Sequence, residues 1–235
     1  LKCDISLEPE KLITTIINIK PDLIINCAAI VSLEECERNS SKAIAVNTTS
    51  VINIAKACSI IDCKLVQIST DHFYKGDHRM LHKENYPTCT LNNYALTKLA
   101  GEKNALDYTD SIVIRTNITG YRKGINSFTF IEWLLKSLRN REDIVLFNDF
   151  YTSTIDALTM AKIVMKISRL NYTGILNVAS SDCISKFEFA TKLARELEIN
   201  IDWVRTGSIR DLRPLRADSL GLDCSKASNL LGFSF

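Results

Sequence analysis

The sequence predicts an α/β protein: a doubly wound parallel sheet followed by a smaller lobe toward the C-terminus. Three observations lead there. Short, continuous apolar runs alternate with amphipathic stretches of helical period. Those runs are apolar without a break, as strands covered on both faces are. No internal repeat, low-complexity tract or Gly/Ser linker divides the 235 residues.

The elements follow in order. A helix over about 8–19 precedes Pro21, after which "DLIINCAAI" (22–30) reads as a strand. A helix over about 39–60 leads to the strand "KLVQIS" (64–69), and one over about 92–107 to "SIVIRT" (111–116). Helices over about 127–140, 154–170 and 185–197 are separated by the strands "DIVLF" (143–147) and "GILNVA" (174–179). The alternation is regular up to about residue 120, and irregular stretches such as 201–223 interrupt it afterwards. The expected division is therefore 1–120 and 121–235, with a shared interface rather than a tether.

Composition narrows the function classes. With 46% hydrophobic and 24% charged residues the chain can bury an ordinary core. A net charge of +2 and a pI near 8.1 are too mild for a nucleic-acid or acidic-membrane surface, leaving small-molecule chemistry. Eight cysteines are scattered without a C-x-x-C, which argues for reduced thiols and against a structural metal. No uncharged run approaches the roughly 20 residues of a membrane span. A cytoplasmic protein is expected.

The chemistry gathers at two places. "ISTDHFYKG" (68–76) ends an apolar strand on Ser69, Thr70 and Asp71, where α/β sheets place their ligands. "NNYALTKLAGE" (92–102) sets Tyr94 and Lys98 four residues apart, on one helix face. An ammonium beside a phenol favours phenolate and draws the tyrosine pKa toward neutrality. Y-x-x-x-K arises by chance in about half of chains with this many tyrosines, so the spacing alone decides nothing. Thr70 on the neighbouring strand gives it weight.

Together these residues resemble the extended short-chain dehydrogenase/reductase superfamily, and within it the dTDP-4-dehydrorhamnose reductase family. "ISTDHFYKG" is similar to that family's S-T-D-aromatic-x-aromatic-x-G segment, with His72 in place of the usual tyrosine. "PDLIINCAAIVSLEECERN", "AVNTTSVINIAKAC", "IVIRTNITGY" and "RPLRADSLGLDCSKASNLLGF" resemble further family segments, so the likeness spans nearly the whole chain. The resemblance implies a Rossmann-like domain over 1–120 that lacks its first strands. It implies a lobe over 121–235 that mainly binds substrate and returns some elements to the sheet.

The resemblance also implies roles. Thr70, Tyr94 and Lys98 would form the catalytic triad of an NAD(P)H-dependent reductase of a nucleotide-linked 4-keto-6-deoxy sugar. Cys27, Ala28 and Ala29 would run against the cofactor, Asn47 is the motif asparagine, and Asp4 with Ile5 would flank the adenine. Asp71 and Arg213 would touch substrate, Arg213 through a phosphate. Tyr151 stands where the family has a proline, which weakens a substrate role for Thr152. His72, His78 and His82 read as a solvated loop cluster rather than metal ligands, and Trp133 and Trp203 as core or lobe-interface rings. Some members use a divalent ion at a dimer interface, so a homodimer and Mg2+ fall within what the resemblance allows.

One expected feature is absent. The eight glycines form no G-x-G-x-x-G, the turn whose amides receive a pyrophosphate. Since "LKCDIS" fits the end of the family's third strand, the expectation is a fragment lacking roughly 40–60 preceding residues. Two rival readings keep the fold: an NAD-dependent epimerase or dehydratase, and a non-catalytic regulatory subunit like that of methionine adenosyltransferase.

Overall fold

The computed structural model describes residues 3–122 and 128–234. α1 (Pro9–Ile19) leads into β1 (Leu23–Asn26), and α2 (Leu33–Arg38) into α3 (Ser40–Ile44). A π-helical turn, Ala45–Thr49, joins α3 to α4 (Ser50–Ile61) without a break. Then come β2 (Lys64–Ile68), α5 (Asn93–Tyr108) and β3 (Ser111–Arg115). The second half holds β4 (Ile118–Thr119), α6 (Phe130–Asn140), β5 (Val145–Phe147), β6 (Tyr151–Thr152), β7 (Ile155–Asp156) and α7 (Ala157–Ile167). β8 (Gly174–Asn177), β9 (Ile184–Ser185), α8 (Lys186–Glu196), β10 (Arg205–Gly207), β11 (Ser219–Leu220) and α9 (Ser225–Leu231) complete it.

The main sheet runs β1-β2-β3-β8, parallel throughout, with Leu23 opposite Lys64, Ile68 opposite Ile114 and Arg115 opposite Asn177. Alternate residues of the strands serve opposite faces. Leu65 and Val113 pack with Leu12, Val51 and Ile54 beneath α1 and α4. Val66, Ile112, Ile114 and Leu176 pack with Met160, Ile163 and Ile167 of α7 on the other side. Burial on both faces is why these strands are continuously apolar in sequence.

The strand predicted at 143–147 goes elsewhere. β5 pairs in parallel with β10 in a two-stranded sheet of its own. Leu146 faces a separate core with Leu134, Leu138, Ala190 and Val204, while Val145 is exposed. A strand covered on one face cannot sit inside the main sheet. Trp133 and Trp203 are partly buried against that same core.

The helical run Ser40–Ile61 is long and apolar enough, by length and composition, to cross a membrane. Here it is a core helix: Val51, Ile54, Ala55 and Cys58 are buried between α1 and the sheet. The eight cysteines are free thiols.

Candidate active site

β2 and the start of α5 build the site. Past Ile68 the Ser69 amide still donates to the Ile114 carbonyl at 2.7 Å, so Thr70 and Asp71 are delivered at the carboxyl edge of the sheet. The Asn92 side chain caps α5 by accepting from the Ala95 amide at 2.9 Å, placing Tyr94 in the first turn. Lys98 and Glu102 follow on the same face at four-residue steps. α5 lies close against the π-helical turn, because Gly101 has no side chain: a Cβ there would stand 2.4 Å from the Asn47 carbonyl oxygen.

Thr70, Asp71, His72, Tyr94 and Lys98 line one cavity of about 360 Å³ with Cys27, Ala29 and Asn117. The Thr70 hydroxyl hydrogen-bonds with the Tyr94 phenol and lies 3.4 Å from Asp71 Oδ1. Lys98 Nζ donates to the Ile68 carbonyl at 2.7 Å. Asn117 Nδ2 donates to Asp71 Oδ2 at 2.6 Å.

Burial sets the protonation of these groups. It pushes Tyr94, packed against Leu33, Cys36 and Ala43, well above the usual phenol value, with only the Thr70 hydroxyl opposing it. No pull of Lys98 on the phenol offsets this burial. Desolvation lowers Lys98 to about 8 against the opposing charge of Glu102. It raises Asp71 to about 7, opposed by the Asn117 hydrogen bond and the charge of Lys186. His72 falls to about 4 through burial and the positive charges of Arg216 and Lys186, and is a neutral imidazole.

Other predicted residues stand outside the cavity. Asn47 accepts from the Ile30 amide at 2.9 Å and donates to the Ile30 carbonyl and Thr97 Oγ1, both at 3.1 Å. Its amide anchors the loop after β1 to α5 and is not a lining group. Asp4 closes a local turn on the Ser6 and Leu7 amides, and Ile5 packs beside α1. Ala28 is exposed on the loop after β1, its amide held by Asn26. Arg213 is exposed and donates to the Arg210 and Leu212 carbonyls. Arg216, three residues on, pairs with Glu34 and bears on His72.

The three histidines do not form a solvated cluster. His82 is fully buried, stacked on Tyr74 at 4.1 Å with its Nδ1 2.9 Å from the Gly221 carbonyl, and His72 lines the cavity. Aromatic stacking and a backbone partner draw it inward where the sequence shows only polar neighbours. Among the described residues no group of three His, Cys, Asp or Glu is placed to hold a metal.

The loop after β2 is sewn to a distant strap. The His82 amide donates to Gly221 O at 2.9 Å, the Asp223 amide to His82 O at 3.0 Å, and the Gly76 amide to Asp218 Oδ1 at 2.7 Å. Asn92 Nδ2 donates to Leu215 O at 2.9 Å.

The family described as RmlD substrate binding domain matches residues 2–230. The chain belongs to that family. It is 29% identical over 194 residues to the dTDP-4-dehydrorhamnose reductase of Escherichia coli K12, covering 80% of this chain and 64% of that protein. A crystal structure of a hypothetical dTDP-4-dehydrorhamnose reductase from Sulfolobus tokodaii superposes with a TM-score of 0.87 at 31% identity, over 100% of this chain and 82% of that one. The Bacillus anthracis dTDP-4-dehydrorhamnose reductase in complex with NADP shares the fold, at a TM-score of 0.86 and 24% identity over 98% of this chain and 80% of that one.

In this RmlD-family chain further residues without a motif of their own stand in or beside the site. Glu102 could have been found, being the next step of the Tyr94–Lys98 face. It forms a buried ion pair with Arg115 and accepts from Ser69 Oγ. Asn117 and Lys186 carry no local signal. They reach Asp71 from the far end of β3 and from the start of α8.

Proposed function

We propose that the protein catalyses NAD(P)H-dependent reduction of a keto group on a nucleotide-linked sugar, with 4-keto-6-deoxy sugars as the substrate class. The observation that carries this is the convergence of Thr70, Tyr94 and Lys98 on one cavity at the carboxyl edge of a parallel sheet. The reductase names of the relatives support it.

The residues fit a nicotinamide cofactor. Cys27 and Ala29 give the cavity a small-residue wall after β1, and Lys98 lines its floor as a donor suited to ribose hydroxyls. When bound, a reduced nicotinamide supplies hydride. The chain's own work is at the carbonyl oxygen: Thr70 donates a hydrogen bond that orients it, and Tyr94 gives up its proton as negative charge develops there. A phenol kept protonated by its apolar surroundings enters the reaction as the acid. On this reading residues 1–120 carry the cofactor side and 121–235 mainly the substrate side, in a cytoplasmic enzyme drawing on the reduced nicotinamide pool.

The test is absorbance at 340 nm with the full-length protein, dTDP-4-keto-6-deoxyglucose and NADPH or NADH. Stoichiometric cofactor oxidation that Tyr94→Phe abolishes supports the proposal. Sugar conversion without net oxidation would make the protein an epimerase or dehydratase, and tight binding without conversion a regulatory subunit.

A further inference from the structure

Lys186 is an ammonium with no carboxylate in salt-bridge contact among the described residues, set beside the candidate catalytic cavity. Its Nζ lies 4.6 Å from the centre of the Phe130 ring and 5.5 Å from that of Phe150. Its hydrogen bond to Thr152 Oγ1 is long, at 3.4 Å. Among the described residues no carboxylate lies within 4 Å of it. Asp71 attracts it from farther away, but Asp71 Oδ2 is taken by Asn117. Two aromatic faces hold a cation in place without neutralising it, so donors remain for an oxygen acceptor.

That acceptor has a place to sit. Lys186, Thr119, Thr154 and Phe189 line a side chamber of about 70 Å³ that shares Asn117 and Ile118 with the catalytic cavity. The chamber is large enough to take a hydroxyl together with ordered water.

The argument now rests on the sugar reduction proposed above. With the C4 carbonyl between Thr70 and Tyr94, the groups nearest Asp71 and Asn117 are those on the two carbons flanking it. In a 6-deoxy sugar C5 bears a methyl, and C3 alone bears an exocyclic oxygen. We infer that Lys186 is a specificity-determining residue that receives the C3 hydroxyl of the sugar, donating to its oxygen while that hydroxyl donates to Asp71. A methyl turned into the chamber would leave the ammonium unpaired, so the pair also fixes which way round the ring enters.

The experiment compares dTDP-4-keto-6-deoxyglucose with its 3-deoxy analogue, on wild-type full-length protein and Lys186→Met with NADPH. Methionine keeps the chain volume against the two phenylalanines. The expected result is that wild type loses kcat/KM on the 3-deoxy substrate by on the order of 10- to 100-fold, as for a hydrogen bond to a charged donor. Lys186→Met should lose a similar factor on the hydroxylated substrate and treat both alike, with Lys186→Arg recovering part of the preference. Equal losses on both substrates would overturn the inference and make Lys186 a packing residue. Should Lys186→Met not fold, wild-type indifference to the C3 hydroxyl overturns it on its own. If wild type turns over neither substrate, the reductase reading falls and takes this one with it, a pattern distinct from turnover without discrimination.

Discussion

Arg115 and Glu102 meet in a buried ion pair directly beneath the site, Nη2 to Oε2 at 2.8 Å, with Arg115 Nε bonded to both carboxylate oxygens at 3.0 and 3.1 Å. Arg115 Nη1 also donates to the Tyr74 phenol at 2.8 Å. The pair ties α5 to β3 and couples the helix carrying Tyr94 to the sheet. Glu102→Ala would strand a buried guanidinium and lower stability by roughly 3–5 kcal/mol in urea unfolding. Combining Glu102→Leu with Arg115→Met should recover much of that loss, since no charge is then left alone.

Tyr94→Phe removes one hydroxyl from an otherwise apolar pocket formed by Leu33, Cys36 and Ala43. The expected outcome is a fall in kcat of roughly 10²–10⁴-fold, the usual contribution of a positioned acid. Cofactor affinity, followed by fluorescence titration, should stay within about twofold, because Lys98 and the loop after β1 are untouched.

Asp71 makes stability depend on pH in a definite direction. Burial raises its pKa from 3.8 to about 7, so the folded state holds a proton that the unfolded state has lost between those values. Stability contributed by this group is therefore present below about pH 4 and is lost as pH rises toward 7. Asp71→Asn should match wild type at pH 4 and exceed it in stability at pH 7.5, by an amount on the order of a few kcal/mol. Denaturant midpoints of the two proteins across that range check it; a difference that shrinks with pH would refute the assignment.

Asn47→Ala would leave the Ile30 amide and carbonyl without their partner. A loss of roughly 1–3 kcal/mol is expected for buried groups so orphaned. Because the loop after β1 would loosen, KM for the nicotinamide cofactor should rise more than kcat falls. Steady-state kinetics at varied NADPH would separate the two.

Much of this molecule can be read from its residues, and the boundary is physical. "KLVQIS", "SIVIRT" and "GILNVA" were legible because strands covered on both faces are apolar at every position. "DIVLF" was legible as a strand but not as a member of a particular sheet, since pairing partners lie 60 residues away at Arg205–Gly207. That Thr70, Tyr94 and Lys98 share one cavity follows from one strand end and one helix period. Lys186 and Asn117 do not, for each sits in an unremarkable local context and comes near Asp71 only in the folded chain. The inward turn of His82 was equally hidden, being set by Tyr74 and Gly221 rather than by its neighbours in sequence.

The stitches between the loop after β2 and the strap at 215–223 also bear on how the protein is made. Gly76 to Asp218 and His82 to Gly221 are contacts about 140 residues apart along the chain. During synthesis the sheet strands β1 to β3 leave the ribosome long before their closing partners. A nascent chain that is free of the ribosome only as far as about residue 200 could thus bury most of its hydrophobic interior while the loop bearing Thr70 and Asp71 stays unfastened. Competence for chemistry would arrive as a late event of translation, and contacts of such long separation make that last step slow compared with collapse of the core.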